Sequence, residues 1–283
     1  MAERLPDLSA DAARLAAVAL AEDGPVDLTT AVTVRGAPAG TAIIEARTAA
    51  VVSGLRYAEE AARLAGCDIG WRVTEGQAVE PGEIGRLTGD LTAILHAERT
   101  VLNLLQRACG IATATRRYVE AMSGTGCRVL HTRKTAPGLR LLDVAAVVSG
   151  GGTIHRIDLA HTVMVKDNHW RALERDGRSL AEALEEARAR GAVACQVEVE
   201  TEAQLVEACE AGADRLLIDN QTPATVRSWA AVARSRRPGI AVEATGGITL
   251  ENVREYALAG ADFISIGALT HSVRAADISL NLL

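Results

Sequence analysis

Apolar residues follow two spacings along this chain, and the change from one to the other divides it. In residues 8–22 the apolar positions Leu8, Ala12, Leu15, Val18 and Ala19 keep a helical spacing, which predicts an amphipathic helix closed by Gly24-Pro25. Asp27-Leu28-Thr29-Thr30 reads as a polar loop, residues 41–52 as strand, 57–64 as helix and 69–73 as strand. Residues 75–84 form a tight-turn segment between short strands, with Gly76 and Pro81-Gly82 supplying the bends. Two helices are expected next, 91–105 with Ile94, Leu95, Val101, Leu102 and Leu105 inward, and 111–122 after Gly110. The first third is an α+β unit of its own.

Beyond it, short apolar runs alternate with helix-like stretches. The runs at 127–130, 163–165, 197–200, 216–218, 242–244 and 264–266 predict strands, separated by helices around 180–190, 202–211, 223–235 and 250–258. Short crossovers of this kind build a parallel sheet, and in an α/β barrel the strand ends converge on one mouth. Residues 272–283 are too polar at Arg274 and Asp277 for another barrel unit and are expected to return to the first domain.

Charge collects where the strands end. Arg133 and Lys134 follow one run, Arg156 follows His155, and Lys166 ends another. Cations gathered in one mouth repel one another unless a multiply charged anion meets them, so the predicted ligand is a polyanion; scattered on a solvated rim, they would need none. Guanidinium forks match carboxylates and phosphates, and lysines add point charges, which suits a small dicarboxylate together with phosphates. Thr245-Gly246-Gly247, ahead of a helix expected from about Leu250, and Gly267-Ala268 after the last strand are candidate phosphate turns. Gly150-Gly151-Gly152 is a weaker signal of close backbone approach or tight turning. Glu198 and Asp219 end successive strands, where they could bridge Mg²⁺, stabilise an oxocarbenium-like sugar carbon, or pair with Lys134 or Lys166 as structural ions.

Composition narrows the class. The chain has 283 residues, net charge −6, 48% hydrophobic and 2% aromatic residues, which argues against a general nucleic-acid surface and leaves few platforms for stacking bases. No run approaches a membrane span, and the start Met1-Ala2-Glu3-Arg4-Leu5-Pro6-Asp7 lacks the pattern of a signal peptide, so a cytoplasmic chain is expected. Cys67, Cys109, Cys127, Cys195 and Cys209 contain no CxxC pair and read as buried thiols in a reducing compartment. His96 and His271 read as surface or packing residues, and no spacing suggests zinc, a Walker A loop or a nucleophile elbow.

Thr132-Arg133-Lys134-Thr135-Ala136-Pro137-Gly138-Leu139-Arg140, Gly150-Gly151-Gly152 through His155-Arg156, Val165-Lys166-Asp167-Asn168-His169, Leu217-Ile218-Asp219-Asn220 and Gly267-Ala268-Leu269-Thr270-His271-Ser272 closely resemble the quinolinate phosphoribosyltransferase family. The likeness runs essentially end to end, including Glu22-Asp23 with Thr29-Thr30 and Glu98-Arg99-Thr100 with Leu102-Asn103. It implies an α/β fold with an N-terminal α/β sandwich domain (residues 1–110, joined by 272–283) and an incomplete, open α/β barrel (111–271), assembled as a homodimer. The reaction it implies joins quinolinate to phosphoribosyl pyrophosphate with Mg²⁺, releasing pyrophosphate and CO₂ and giving nicotinate mononucleotide for NAD synthesis. Carried over by motif, Arg133, His155, Arg156 and Lys166 would hold the dicarboxylate, with Arg99 reaching in from a partner subunit. Lys134 would contact substrate or pyrophosphate, Glu198 and Asp219 would serve metal, ribose and transition-state charge, and Thr245, Gly246, Gly247 and Gly267 would take the 5′-phosphate.

The chain departs from the family pattern at His131, where Asp is usual, at Ile154, where Asn is usual, and at Gln196, where an acid is usual. Two other readings stay open on that account: a divergent paralogue acting on another aromatic acid, and an anion-binding relative without turnover.

Overall fold

The two spacings correspond to two kinds of sheet. The computed structural model describes residues 4–36 and 38–283; Met1, Ala2 and Glu3, which belong to the expectation of no leader, lie outside the described residues. In chain order the elements are α1 (Ser9–Glu22), α2 (Leu28–Thr33), β1 (Ala39–Ala46), β2 (Ala50–Val51), α3 (Leu55–Ala65), β3 (Cys67–Trp71), β4 (Ala78–Val79), β5 (Gly82–Asp90) and α4 (Leu91–Ala121). They continue as β6 (Arg128–Leu130), α5 (Arg140–Ser149), β7 (Thr162–Val165), α6 (Asp167–Arg175), α7 (Leu180–Ala189), β8 (Ala194–Val199), α8 (Glu202–Glu210) and β9 (Arg215–Asp219). Last come α9 (Pro223–Arg236), β10 (Ala241–Thr245), α10 (Val253–Leu258), β11 (Phe263–Ser265), α11 (Ala268–His271) and β12 (Ile278–Leu282).

The chain forms two compact units. The first takes the described residues up to Arg116 together with Arg133–Ile154 and Gly267–Leu283; the second takes Arg117–Thr132 and His155–Ile266. In the first unit an antiparallel sheet has the order β12-β1-β5-β3, so the closing strand pairs with the opening one. Ala42, Ile44 and Ala46 of β1 alternate inward, as a sheet with one covered face requires. Helix α3 buries Leu55, Ala58, Ala61 and Ala62, and its small side chains admit the close approach of α1 through Ala12, Leu15 and Ala16.

Three local expectations are corrected. Asp27 does not open a loop; its Oδ1 accepts the Thr30 N–H at 3.0 Å and caps α2. The run at 41–52 is broken after Ala46, so that only Ala50 and Val51 form β2, against β4. Helix α4 passes through Gly110 without interruption, because this glycine serves contact rather than termination: a Cβ there would lie 2.3 Å from the Arg274 carbonyl oxygen and 3.1 Å from the Ala275 Cα.

In the second unit the sheet is parallel, ordered β6-β11-β10-β9-β8-β7. Among the described residues β6 and β7 have no pairing to each other, which leaves the barrel open. The register gives this sheet two unlike faces. One carries Val129, Val163, Val165, Cys195, Val197, Val199, Leu216, Ile218, Val242, Ala244 and Ile264, an apolar surface; the other carries Arg128, Gln196, Glu198, Arg215, Asp219, Glu243, Thr245 and Ser265. The fold is therefore α/β, an α/β sandwich domain followed by an open barrel, and its second sheet concentrates polar chemistry on one face.

Candidate active site

Parallel strands end on the same edge, so the residues that follow β7, β8, β9 and β10 are neighbours by register. Val165 pairs with Val197 and Val199 with Ile218, which sets Lys166, Glu198 and Asp219 on adjoining strand ends. Lys166 is placed by its own motif. It caps α6, the His169 Nδ1 accepts the Lys166 N–H at 3.0 Å, and the Trp170 indole donates to the Glu198 carbonyl at 2.9 Å. The Lys166 ammonium forms an ion pair with the Glu198 carboxylate, whose side chain is almost wholly buried. One of the two pairings expected for this acid is thus made with Lys166.

Asp219 is followed by Asn220 in the left-handed region, at φ 53. The Asn220 N–H donates to the Thr245 carbonyl at 2.9 Å and its amide donates to Asp219 Oδ2 at 2.7 Å. Gly246, at φ 83, leaves no room for a side chain, since a Cβ would stand 2.2 Å from Asn220 Oδ1. The acid and the glycine turn are thereby locked together, a strained local arrangement of the sort that supports a binding site. Helix α10 begins at Val253 rather than near Leu250, and Gly247 is instead held by the Asn252 amide, which donates to its carbonyl at 3.1 Å. Thr245-Gly246-Gly247 is therefore a turn and does not lead directly into a helix end as expected.

His155 lies deeper. It is buried, with Nε2 3.2 Å from Glu243 Oε2, while its Nδ1 accepts the Arg156 N–H at 2.7 Å. Arg156 donates from Nη1 to the Thr162 carbonyl at 3.3 Å. His131, fully buried, meets His155 edge-on with ring centroids 6.4 Å apart. Glu243 also accepts from Arg215 Nη1 at 3.0 Å and from the Ser265 hydroxyl. Burial alone would raise its pKa, but His155, Arg215 and Ser265 together hold it well below the usual carboxylate range.

The first unit carries Arg99, Arg133, Lys134 and Gly267. Arg99 projects from α4 into solvent and donates to Asn103 Oδ1 at 2.7 Å. The Arg133 Nε is buried without a hydrogen-bond partner among the described residues. Lys134 is exposed and its carbonyl accepts from the Thr270 hydroxyl at 2.8 Å. Behind it, Arg107 grips Asp143 through Nε at 2.7 Å and Nη2 at 2.8 Å, and donates further to the Thr270 carbonyl at 3.2 Å. A Cβ on Gly267 would meet both Lys134 Cδ and His271 Cδ2 at 3.1 Å, so the lysine, the glycine and His271 form one cluster. A small cavity there is lined by Arg107, Lys134, Thr135, Ala136, Thr270 and His271, with a volume of about 340 Å³. Gly150 and Gly152 are packing residues: side chains there would collide with the Ala112 carbonyl at 2.5 Å and Val147 Cγ1 at 2.5 Å.

Glu243, Asp143 and Arg107 escape notice in the sequence, because each is a lone charge in an apolar stretch and only its distant partners give it meaning. His271 is visible in its motif but reads there as a surface or packing residue.

Among the described residues, no group of three or more His, Cys, Asp or Glu is arranged to hold a metal ion. Glu198 and Asp219 offer two carboxylates on the same face of adjoining strands. This donor set suits an ion that completes its shell with substrate phosphates and water.

The fold and the site define a phosphoribosyltransferase-type barrel with an appended α/β sandwich, and comparison with known proteins agrees. Residues 27–109 match the quinolinate phosphoribosyl transferase N-terminal domain and residues 111–281 its C-terminal domain. A probable carboxylating nicotinate-nucleotide pyrophosphorylase of Bacillus subtilis is 44% identical over 211 residues, covering 74% of this chain and 71% of that protein. The carboxylating nicotinate-nucleotide pyrophosphorylase of Homo sapiens is 37% identical over 268 residues, covering 93% and 89%. The solved nicotinate-nucleotide pyrophosphorylase of Francisella tularensis superposes with a TM-score of 0.89 at 32% identity, covering 99% of this chain and 98% of that one. The chain belongs to the quinolinate phosphoribosyltransferase family.

Proposed function

We infer that this chain transfers the phosphoribosyl group of phosphoribosyl pyrophosphate to the ring nitrogen of quinolinate, releasing pyrophosphate and CO₂ and giving nicotinate mononucleotide for NAD synthesis. The observation that carries this reading is the match of both family domains in order across residues 27–281, supported by relatives of that activity over nearly the whole chain.

The chemistry asks for three kinds of group. Quinolinate brings two carboxylates, for which Arg133, Arg156 and Lys166 supply cations, with His155 beside Arg156. Breaking the bond from the anomeric carbon to pyrophosphate leaves positive charge on the sugar, and Glu198 and Asp219 are the anions suited to stabilise it. The leaving pyrophosphate needs countercharge, for which Lys134 is suited; Thr245, Gly246, Gly247 and Gly267 suit the 5′-phosphate. Mg²⁺ held by Glu198 and Asp219 with the phosphates would supply further neutralisation of the leaving group. Once the ring nitrogen is glycosylated it is cationic, and the electron pair left by departing CO₂ at the adjacent carbon is stabilised by that charge before a proton replaces it.

We further propose a homodimer in which Arg99, exposed on α4, serves the partner's site, and a cytoplasmic location, for which the free thiols argue. Among the described residues, no helix is long and apolar enough to cross a membrane.

Incubating the pure protein with quinolinate, phosphoribosyl pyrophosphate and Mg²⁺ should yield nicotinate mononucleotide and CO₂ by mass detection. Absence of both products would reject the reading. A screen of other aromatic acids in the same assay tests the paralogue alternative, which a clear preference for another acceptor would favour.

A further inference from the structure

The parallel sheet of the second unit has two ends. Lys166, Asp219 and Thr245 stand where strands finish, the end at which parallel barrels gather their catalytic groups. At the other end a cavity of about 490 Å³ is lined by Arg128, Ala194, Arg215, Ala241 and Phe263, the first residues of β6, β8, β9, β10 and β11. Gln196, the register partner of Arg215, lines it as well. Packing accounts for most of these side chains. It does not account for Arg128 and Gln196.

The other charges around the cavity are answered within the protein. Asp214 accepts the Cys195 N–H at 2.7 Å and stands 3.7 and 3.8 Å from Arg188 and Arg237. Asp262 accepts the Val242 N–H at 2.8 Å and the Arg234 guanidinium at 3.0 Å. Arg215 donates from Nη1 to the buried Glu243 carboxylate at 3.0 Å. Arg128 is left over. Among the described residues it has no ion pair, and its guanidinium lies 4.4 Å from the centre of the Phe263 ring, with that of Arg215 4.1 Å from the same centre. The ring attracts both cations, which repel each other, and only Arg215 has a carboxylate. Gln196 is unmatched in a different sense. It is 6% exposed, and its Oε1 is buried with no hydrogen-bond partner among the described residues. A buried acceptor without a donor costs free energy that an entering O–H recovers.

We propose that this cavity is a binding site for inorganic phosphate, with Arg128 and Arg215 meeting its charge and Gln196 accepting from its O–H. The groups present select this ion. Arg128, and the N–H groups of Arg215 that Glu243 leaves, offer forked donors to oxyanion oxygens. Turning the Gln196 amide about its last bond brings Oε1 to the cavity it lines. Inorganic phosphate keeps at least one O–H at neutral pH, so a single ion meets both the donors and the acceptor. Sulfate has the same tetrahedral shape without an O–H. It satisfies the arginines and leaves Gln196 unmatched, which makes it the discriminating control.

Phe263 is the chain's single phenylalanine, so protein grown with ring-¹³C-labelled phenylalanine draws its labelled ring signals from this cavity alone. Titration with inorganic phosphate at neutral pH and constant ionic strength should move those signals saturably in the millimolar range or below. Sulfate should bind about tenfold more weakly or worse, the scale of one hydrogen bond to a charged group. Arg128→Gln should weaken the phosphate response by about tenfold or more for the same reason. Gln196→Met, which keeps the length and loses the acceptor, should abolish the preference for phosphate over sulfate. No saturable shift, equal responses to the two ions in the unaltered protein, or an unchanged phosphate response in Arg128→Gln overturns the proposal. Phosphate acting from the Thr245-Gly246-Gly247 turn would give that last result, since Arg128 belongs to the opposite end of the strands. Arg128 is exposed, so its replacement leaves the core intact, and the two-ion comparison on the unaltered protein decides the matter even if Gln196→Met does not fold. Neither measurement depends on turnover of quinolinate.

Discussion

Removing the Asp143 carboxylate isolates the support behind Lys134. Asp143 has no exposed side-chain surface; it accepts two donors from Arg107 at 2.7 and 2.8 Å and the Ala136 N–H at 3.4 Å. Burial raises its pKa above the usual carboxylate range and the Arg107 fork opposes that rise, so the pair is costly to desolvate and costlier to break. In Asp143→Ala the guanidinium, 23% exposed, keeps only the Thr270 carbonyl at 3.2 Å among these contacts. Stranding one partner of a buried pair costs about 3–5 kcal/mol, and water reaching the exposed part of Arg107 recovers some of it, so a loss of about 3 kcal/mol is expected. Urea denaturation followed by far-UV circular dichroism should show the midpoint falling with little change in slope. Because Thr270 also binds the Lys134 carbonyl, the phosphoribosyl pyrophosphate KM should rise in the same variant. Arg107→Met with Asp143→Leu should regain stability without regaining that KM. A single variant within about 0.5 kcal/mol of the parent, on the scale of an ordinary surface substitution, would refute the reasoning.

Gly110→Ala sets two effects against each other: helix propensity favours alanine by about 1 kcal/mol, while overpacking against the Arg274 carbonyl costs about 1–3 kcal/mol or more. A net loss of about 2 kcal/mol in a denaturation midpoint is expected, and a gain would show that the 274–275 segment moves freely. Glu243 titrates below its ordinary value, so the folded form binds fewer protons than the unfolded one between about 4.5 and about 2; its contribution is present above that window and fades as pH falls through it. Asp143, shifted upward, acts with the opposite sign, and Glu243→Gln should therefore flatten the acid limb of a Tm–pH curve, whereas an unchanged limb would contradict the assignment. Burial pushes the Cys109 and Cys127 thiols up to about 12 and raises those of Cys67, Cys195 and Cys209. Native protein at pH 8 should thus react slowly with a disulfide reagent and release five equivalents only on unfolding; a rapid first equivalent would locate an open thiol.

Much of the fold could be read from the chain because its strands announce themselves twice, by an apolar run and by the charge that stops it. Lys166 and Asp219 fall at such stops, and the parallel register sets them near Glu198 and Thr245 along one edge. Helices α5 and α6 were hidden by the very motifs that drew attention, since Arg140–Ser149 precedes a glycine triplet and Asp167–Arg175 begins inside a charged tetrapeptide. Gly110 misled for a different reason. A glycine needed for close backbone approach and one that ends a helix are the same letter, and only the chain crossing at Arg274 distinguishes them.

The two supporting acids were beyond reach on physical grounds. Lys166 and Asp219 stand where an apolar run stops, so their neighbours in sequence suffice to mark them. Glu243, between Val242 and Ala244, and Asp143, between Leu142 and Val144, leave the apolar pattern nearly intact. What makes each tolerable is a set of donors 22, 28 and 88 residues away for Glu243 and 7 and 36 residues away for Asp143. A buried charge is defined by partners that only the fold assembles, whereas a charge at a strand end is defined by where the strand stops. It follows that the charges at strand ends were the legible part of this chain, and that the buried charges between them are where structure adds most.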